Sequence, residues 1–244
     1  VFVTSVEYGT TKQVTHTPEA ERGLSFGADN RSLVYSSERN GKRDLYIAKI
    51  SRKEDLNFPN ATLIEEEPLI HDKKLERDYP QFSPDGKEVA FIEDRNRLMV
   101  VNLDTKKVRQ VTDGSTWYTR SGGFDYSWSP DGKWFTLEFI GNKHDPYSDI
   151  GLVSADGKGQ IINLTNSGYT SGSPRWVMGG NAILFITERY GMRNHASWGS
   201  LNDVMIAFLN QDAYDKFRLS KEDYELQKEL EKEPEKAAQK DDKA

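Results

Sequence analysis

Along most of this chain apolar and polar residues alternate over short runs, and each run is bounded by clusters of Gly, Pro, Asp, Asn and Ser. Leu33 and Tyr35, Val89 and Phe91, Phe135, Leu137 and Phe139, and Ile183 and Phe185 all occupy every second position of their segments. A period of two places apolar side chains on one face of an extended backbone, so these segments predict half-buried β-strands. A second set of strand-like runs follows them: "RDLYIAKI", "RLMVVNL", "SDIGLVSA" and "NDVMIAFL". Helical signals gather only after Leu209. There "DAYDKF" suits a short helical turn, and Ser220-x-x-Asp223 has the form of a capping box. A helix from there is expected to run toward Glu233 and stop at Pro234.

The strands recur in phase. An aromatic residue precedes each first turn, at Phe26, Phe82, Trp128 and Trp176, with separations of 56, 46 and 48 residues. Two of the turns are identical, Ser83-Pro84-Asp85-Gly86-Lys87 and Ser129-Pro130-Asp131-Gly132-Lys133. Pro presets φ at the first corner, Asp tolerates the second, and Gly takes the left-handed conformation that returns the chain as a hairpin. Asn30 can take the glycine's place after Phe26, while Trp176 is followed by Val-Met-Gly-Gly. Three units close with a further short strand, "TLIEEE", "VRQVTDG" and "QIINLTN". Four strands per unit, repeated at roughly 45 residues, predict an all-β fold: a β-propeller of four-stranded blades. Each Ser-Pro-Asp-Gly turn then joins the strand lining the axis to the next one out.

The expected organisation is a partial blade over 1–20, blades over about 21–66, 76–113, 123–166 and 172–210, and a helical, charged interdomain linker over 211–244. The opening "VFVTSVEYG" reads as strand interior, so the ring is expected to be incomplete, with missing blades upstream.

Composition narrows the chemistry. The 244 residues carry a net charge of −6 and a mean hydropathy of −0.75, without the basic footprint of a nucleic-acid binder. No apolar run approaches the roughly 18 residues that span a bilayer, so membrane insertion is not expected. With no Cys there are no disulfides, thiol nucleophiles or thiolate metal sites. The four histidines, His16, His71, His144 and His195, have no metal-ligand spacing, and no nucleophile elbow, P-loop or dinucleotide fingerprint occurs. Ser171 and Ser173 have no local base. Asp29, Asp85, Asp131 and Asp156 sit singly beside Gly or Asn, as turn residues do, unlike a calcium loop. The expectation is therefore no catalytic residue, no metal and no cofactor in this chain.

The aromatic-SPDG-K hairpin with its following D-[IVL] strand resembles the propeller repeats of TolB, of prolyl oligopeptidase-type caps and of tricorn-type proteases. The segment "ITERYGMRNHASWGSLNDVMIAFLNQDAYDKFRLSKEDYE" is more specific, and resembles the end of the first propeller of bacterial tricorn protease homologues. That resemblance implies a non-catalytic propeller that admits or sorts peptides for a distant serine-protease core. It implies peptides or unfolded polypeptide segments, and the other domains of the parent protease, as partners. It also implies a periplasmic location, with the cytoplasm as the alternative. A TolB-like protein–protein interaction module and the cap of an α/β-hydrolase peptidase are the competing readings, and oligomerisation is left open.

Candidate binding residues come from the connections into the inner strands. "STWYTRSGGFDYSW" supplies Tyr118, Arg120 and Tyr126, while "ERG" and "ERDYP" supply Arg22 and Arg77. Arginines converging there would offer paired donors to peptide carboxylates, with aromatic faces for apolar side chains.

Overall fold

A computed structural model of the protein describes residues 1–70, 75–117, 123–141, 147–192 and 200–230. Five antiparallel sheets follow one another along these residues. The first pairs β1 (Phe2–Thr4) with β2 (Thr11–Gln13). Blade A is β3 (Glu21–Phe26), β4 (Ser32–Ser37), β5 (Asp44–Ile50) and β6 (Ile64–Pro68). Blade B is β7 (Arg77–Phe82), β8 (Glu88–Glu93), β9 (Arg97–Asn102) and β10 (Val108–Gln110). Blade C is β11 (Tyr126–Trp128), β12 (Trp134–Phe139), β13 (Asp149–Ser154) and β14 (Ile162–Asn163). Blade D has β15 (Ser171–Val177), β16 (Ala182–Thr187) and β17 (Asp203–Phe208). In every blade the spatial order is the chain order, the simple meander that short hairpins produce.

The identical turns fold identically. Ser83 Oγ donates to Asp85 Oδ1 (2.6 Å), which also accepts from Lys87 N (3.1 Å), while Ser83 Oγ accepts from Glu88 N (3.0 Å). The same three bonds at Ser129, Asp131, Lys133 and Trp134 measure 2.6, 3.1 and 2.9 Å. Gly86 and Gly132 lie at φ 71° and 70°, and Asn30 stands in at φ 55°. Serine, aspartate and glycine recur because each satisfies or permits one part of the turn.

Hydrophobic cores form between sheets. β4 and β8 are buried on both faces, the environment of a strand with a sheet on either side. Val34, Leu45 and Ile47 of blade A cluster with Val89, Phe91 and Val101 of blade B. Ala90, Leu98 and Val100 of blade B cluster with Tyr126, Trp128, Phe135 and Val153 of blade C. Ile150 and Leu152 of blade C meet Ile183 of blade D. Full burial of such side chains contributes roughly 1.5–3 kcal/mol each, so these seams carry most of the apolar stabilisation.

The four anchor aromatics are equivalent in register, pairing with Leu33, Val89, Phe135 and Ile183. Both tryptophans reach back one blade: Trp128 Nε1 donates to Gln81 O (3.3 Å) and Trp176 Nε1 to Ser127 O (3.1 Å). The first strands of neighbouring blades therefore lie against one another, the arrangement of strands around a propeller axis.

After β17, Asn210 accepts from Ala213 N (2.8 Å) and caps α1 (Gln211–Phe217), whose Tyr214 and Phe217 pack on Phe208. Ser220 opens a second helical segment over 221–230: its Oγ accepts from Asp223 N (3.1 Å) and donates to Asp223 Oδ2 (2.7 Å). No helix among the described residues is long and apolar enough to cross a membrane.

Candidate functional site

The inner strands do not start as plain extended chain. β3, β7 and β15 each shift register just before the anchor, between Arg22 and Ser25, Asp78 and Gln81, and Gly172 and Arg175. The residue three before the anchor takes positive φ: Gly23 at 65°, Tyr79 at 53° and Ser173 at 51°. Two of these are not glycine, so backbone strain of about 1–3 kcal/mol is held at each. Neighbouring bulges touch. A Cβ on Gly23 would lie 3.0 Å from Tyr79 Cα, so glycine is required there for space as well as for φ.

A charged network locks this edge. Asp78 is buried and takes Arg22 through both carboxylate oxygens, Arg43 Nε at 2.9 Å, Ser36 Oγ at 2.8 Å and its own neighbour's Tyr79 N at 2.9 Å. Arg22 also lies over the Tyr79 ring, 5.4 Å from its centroid. Its hydrogen bonds to Asp78 hold the guanidinium above its usual range despite partial burial. Nearly half of its side chain stays open to solvent.

Arg77 points the other way. It is 3 % exposed, with Nη1 3.2 Å from Asp44 and Nε 3.2 Å from Glu93. Arg22 stands four residues before its anchor and Arg77 five, and one residue of offset turns a side chain to the opposite face of a strand. Asp78, rather than Arg77, thus holds the position in blade B that Arg22 holds in blade A. Tyr126 is buried as well: its hydroxyl donates to Ala90 O (3.0 Å) and to Tyr79 O. Burial first, and the charge of Asp78 second, push its phenol well above the ordinary range. Tyr118, Arg120 and His195 lie outside the described residues.

Tyr126 nonetheless lines a cavity of about 480 Å³ at the first strands, together with Tyr79, Gln81, Asp125, Ser127 and Arg175. The latter five stand one or three residues before the anchors of blades B, C and D. Gln81 Nε2 donates to Tyr126 O (3.0 Å) across the seam. Next to the lining residue Asp125, Glu138 accepts from Ser173 N (2.7 Å) and Asp125 N (3.4 Å), while Ser173 Oγ donates to Asp125 Oδ2 (3.2 Å). Burial raises the Glu138 carboxyl above its ordinary range, and the neighbouring Asp125 charge adds to this against the bond from Ser173 N. Arg175 is exposed, its Nη1 donating to Pro174 O (2.9 Å). The cavity thus offers a guanidinium, the Asp125 carboxylate, aromatic rings and an amide group. Such a set can hold a polypeptide backbone and its charged ends. Among the described residues no three His, Asp or Glu side chains gather as a metal site.

Arg175, Asp125 and Glu138 were not singled out from the sequence. The signal available for Arg175 was its place directly before Trp176, matching Gln81 and Ser127; Glu138 sits in a run otherwise read as alternating core.

No protein-family model matches the chain. The Tol-Pal system protein TolB of Francisella tularensis is 25% identical over 153 residues, 59% of this chain and 31% of that protein. A Sulfurisphaera tokodaii protein, provisionally named a tricorn-like protease C-terminal subunit, is 27% identical over 141 residues, 56% of this chain and 15% of its own length. The crystal structure of TolB from Acinetobacter baumannii superposes with a TM-score of 0.60 at 20% identity, covering 86% of this chain and 46% of that one. The chain therefore spans less than half of each of these three proteins. With its in-phase repeats, shared turn chemistry and meander sheets, this chain has a β-propeller fold and is similar to TolB and to a tricorn-like protein.

Proposed function

We propose that this propeller region has no hydrolytic activity of its own and receives peptides or unfolded polypeptide segments on its inner face, for a serine-peptidase core elsewhere in a tricorn-like parent. The observation that carries the proposal is the cavity at Tyr79, Gln81, Asp125, Ser127 and Arg175, where several inner strands converge. Arg175 and the open side of Arg22 supply donors for a C-terminal carboxylate. Tyr118 and Arg120, in the stretch of sequence before β11, are proposed to contact the same peptide. The Asp125 carboxylate suits a peptide's amine end or a basic side chain. Arg77 acts by holding the seam on which this face is built, and Tyr126 both holds its seam and lines the cavity. The proposal extends to a periplasmic location, in keeping with the relationship to TolB.

Contacts of this type are individually small and screened by salt, which suits broad, weak capture. Fluorescence anisotropy of a labelled acidic peptide with a free carboxyl terminus tests the reading. Binding should weaken with rising ionic strength, with terminal amidation and with Arg175→Ala. Binding indifferent to all three would overturn it. Peptide hydrolysis by the purified chain that is abolished by Ser173→Ala would refute the non-catalytic assignment.

A further inference from the structure

Consecutive seams differ at one place, where the polar lining of one gives way to an apolar lining in the next. At the seam of blades B and C, Glu88 starts β8 and Arg109 pairs with Val100, the fourth residue of β9. Arg109 grips Glu88 through both nitrogens, with Nη2 to Oε2 at 2.6 Å, and its Nε donates to Ala155 O of the next blade at 2.9 Å. This clamp bridges the seam and lines, with Ala155 and Lys158, a polar recess of about 630 Å³. One blade on, Trp134 starts β12, and Ile162 pairs with Leu152, the fourth residue of β13. The residue matching Ala155 is Leu209: Ala155 N donates to Lys133 O and Leu209 N to Asn181 O, both at 2.9 Å. Glu, Arg and Ala have become Trp, Ile and Leu.

The apolar trio does not close. Trp134 is 38 % and Ile162 52 % exposed, and with Leu209, Trp176 and Pro130 they line an opening of about 480 Å³. That volume lies within the roughly 300–1,000 Å³ of ligand pockets. Asp131 stands on its rim, held below the ordinary carboxylate range by Ser129 Oγ and the Lys133 amide, and is therefore anionic at neutral pH. The Lys133 ammonium lies 3.8 Å from it and is mostly in solvent, so it offsets that charge only in part. Asp85 and Asp131 also flank a neighbouring recess at the adjacent turn.

We infer that this slot is a docking site for an extended basic polypeptide segment, which inserts a proline or leucine between Trp134 and Trp176 and sets a lysine or arginine beside Asp131. Indole faces and the Pro130 ring match the flat, preformed shape of a proline-containing strand. The rim carboxylate selects a cationic flank and excludes an acidic one. This site lies on the turn face and does not rest on the inner-face reading, which depends on Arg175.

The test grafts the neighbouring clamp. Trp134→Glu combined with Ile162→Arg should set a pair like Glu88–Arg109 at the second seam and replace the apolar lining of the slot by a charged one. The probe is a dye-labelled, end-blocked Lys-Pro-Leu-Pro-Lys peptide followed by anisotropy. Saturable binding should weaken by about tenfold or more in the graft, and comparably in Ile162→Lys, a single change at an exposed position that carries the test if the graft fails to fold. Glu-Pro-Leu-Pro-Glu and Lys-Gly-Ser-Gly-Lys peptides should bind far less, and Arg175→Ala should leave binding unchanged. Absence of saturable binding, equal binding of the Gly-Ser peptide, or full binding by a folded Ile162→Lys variant would each overturn the inference.

Discussion

Replacing Trp128 by Ala removes the anchor of blade C from the seam where it is 7 % exposed, 4.1 Å from the Phe135 centroid and bonded to Gln81 O. Truncating a buried aromatic costs about 3–5 kcal/mol. In a chain of this length 1 kcal/mol moves Tm by roughly 2–4 °C, so a fall of about 6–20 °C is expected. Trp128→Phe keeps much of the packing and loses the indole bond, which is worth about 0.5–1.5 kcal/mol. Phe26→Ala touches the same position of blade A, but Phe26 is 49 % exposed and meets mainly the edge of Phe58 at 5.8 Å. Its cost should be about half that of Trp128→Ala or less. Urea and thermal unfolding of the three variants, followed by circular dichroism, give the ranking Trp128→Ala, then Trp128→Phe and Phe26→Ala. A Phe26→Ala variant as damaged as Trp128→Ala, or a Trp128→Ala variant losing under about 1 kcal/mol, would refute the view that anchors act by filling seams.

Three further outcomes follow from the geometry. Arg77→Ala leaves Asp44 and Glu93 buried without their central cation and should cost about 3–5 kcal/mol, a loss visible in urea unfolding; a stable variant defective only in peptide binding would place Arg77 on the ligand instead. Gly23→Ala should be more damaging than Gly132→Ala, because both lie at positive φ but only Gly23 faces backbone, Tyr79 Cα, at 3.0 Å; equal Tm losses would count against the bulge contact. Glu138 binds its proton more tightly folded than unfolded, so its ionisation destabilises the fold as pH rises from its unfolded pKa through its raised native one; Glu138→Gln should gain stability relative to the parent chain across that interval, and a relative loss on raising pH would reverse the assignment.

The propeller was legible because its repeat is written in turn chemistry. Serine, aspartate and glycine each make or permit a particular bond at residues 83–87 and again at 129–133, so the sequence identity carries the geometry. Ser220 and Asp223 were legible for the same reason, since a capping box is local. The inner face was less so. The offset of Arg77 can be counted from the anchors, but the face it turns to depends on a bulge, and nothing between Asp78 and Gln81 announces that bulge except Pro80. Glu138 meets Ser173 from 35 residues away, and the Asp131–Trp134–Ile162 slot is visible only once strands are matched by register. Repeats reveal which positions correspond; they do not reveal where one copy departs in function until the seams are seen.

The inner-face claim is tested most directly by photo-crosslinking. An acidic peptide with a free carboxyl terminus and a benzophenone side chain is irradiated with the chain, and the labelled residues are read by mass spectrometry. The account predicts labels on the strands carrying Tyr79, Gln81, Ser127 and Arg175, diminished by high salt and by Arg175→Ala. Labels confined to the outer strands or to the turn face, unchanged by either treatment, would contradict it.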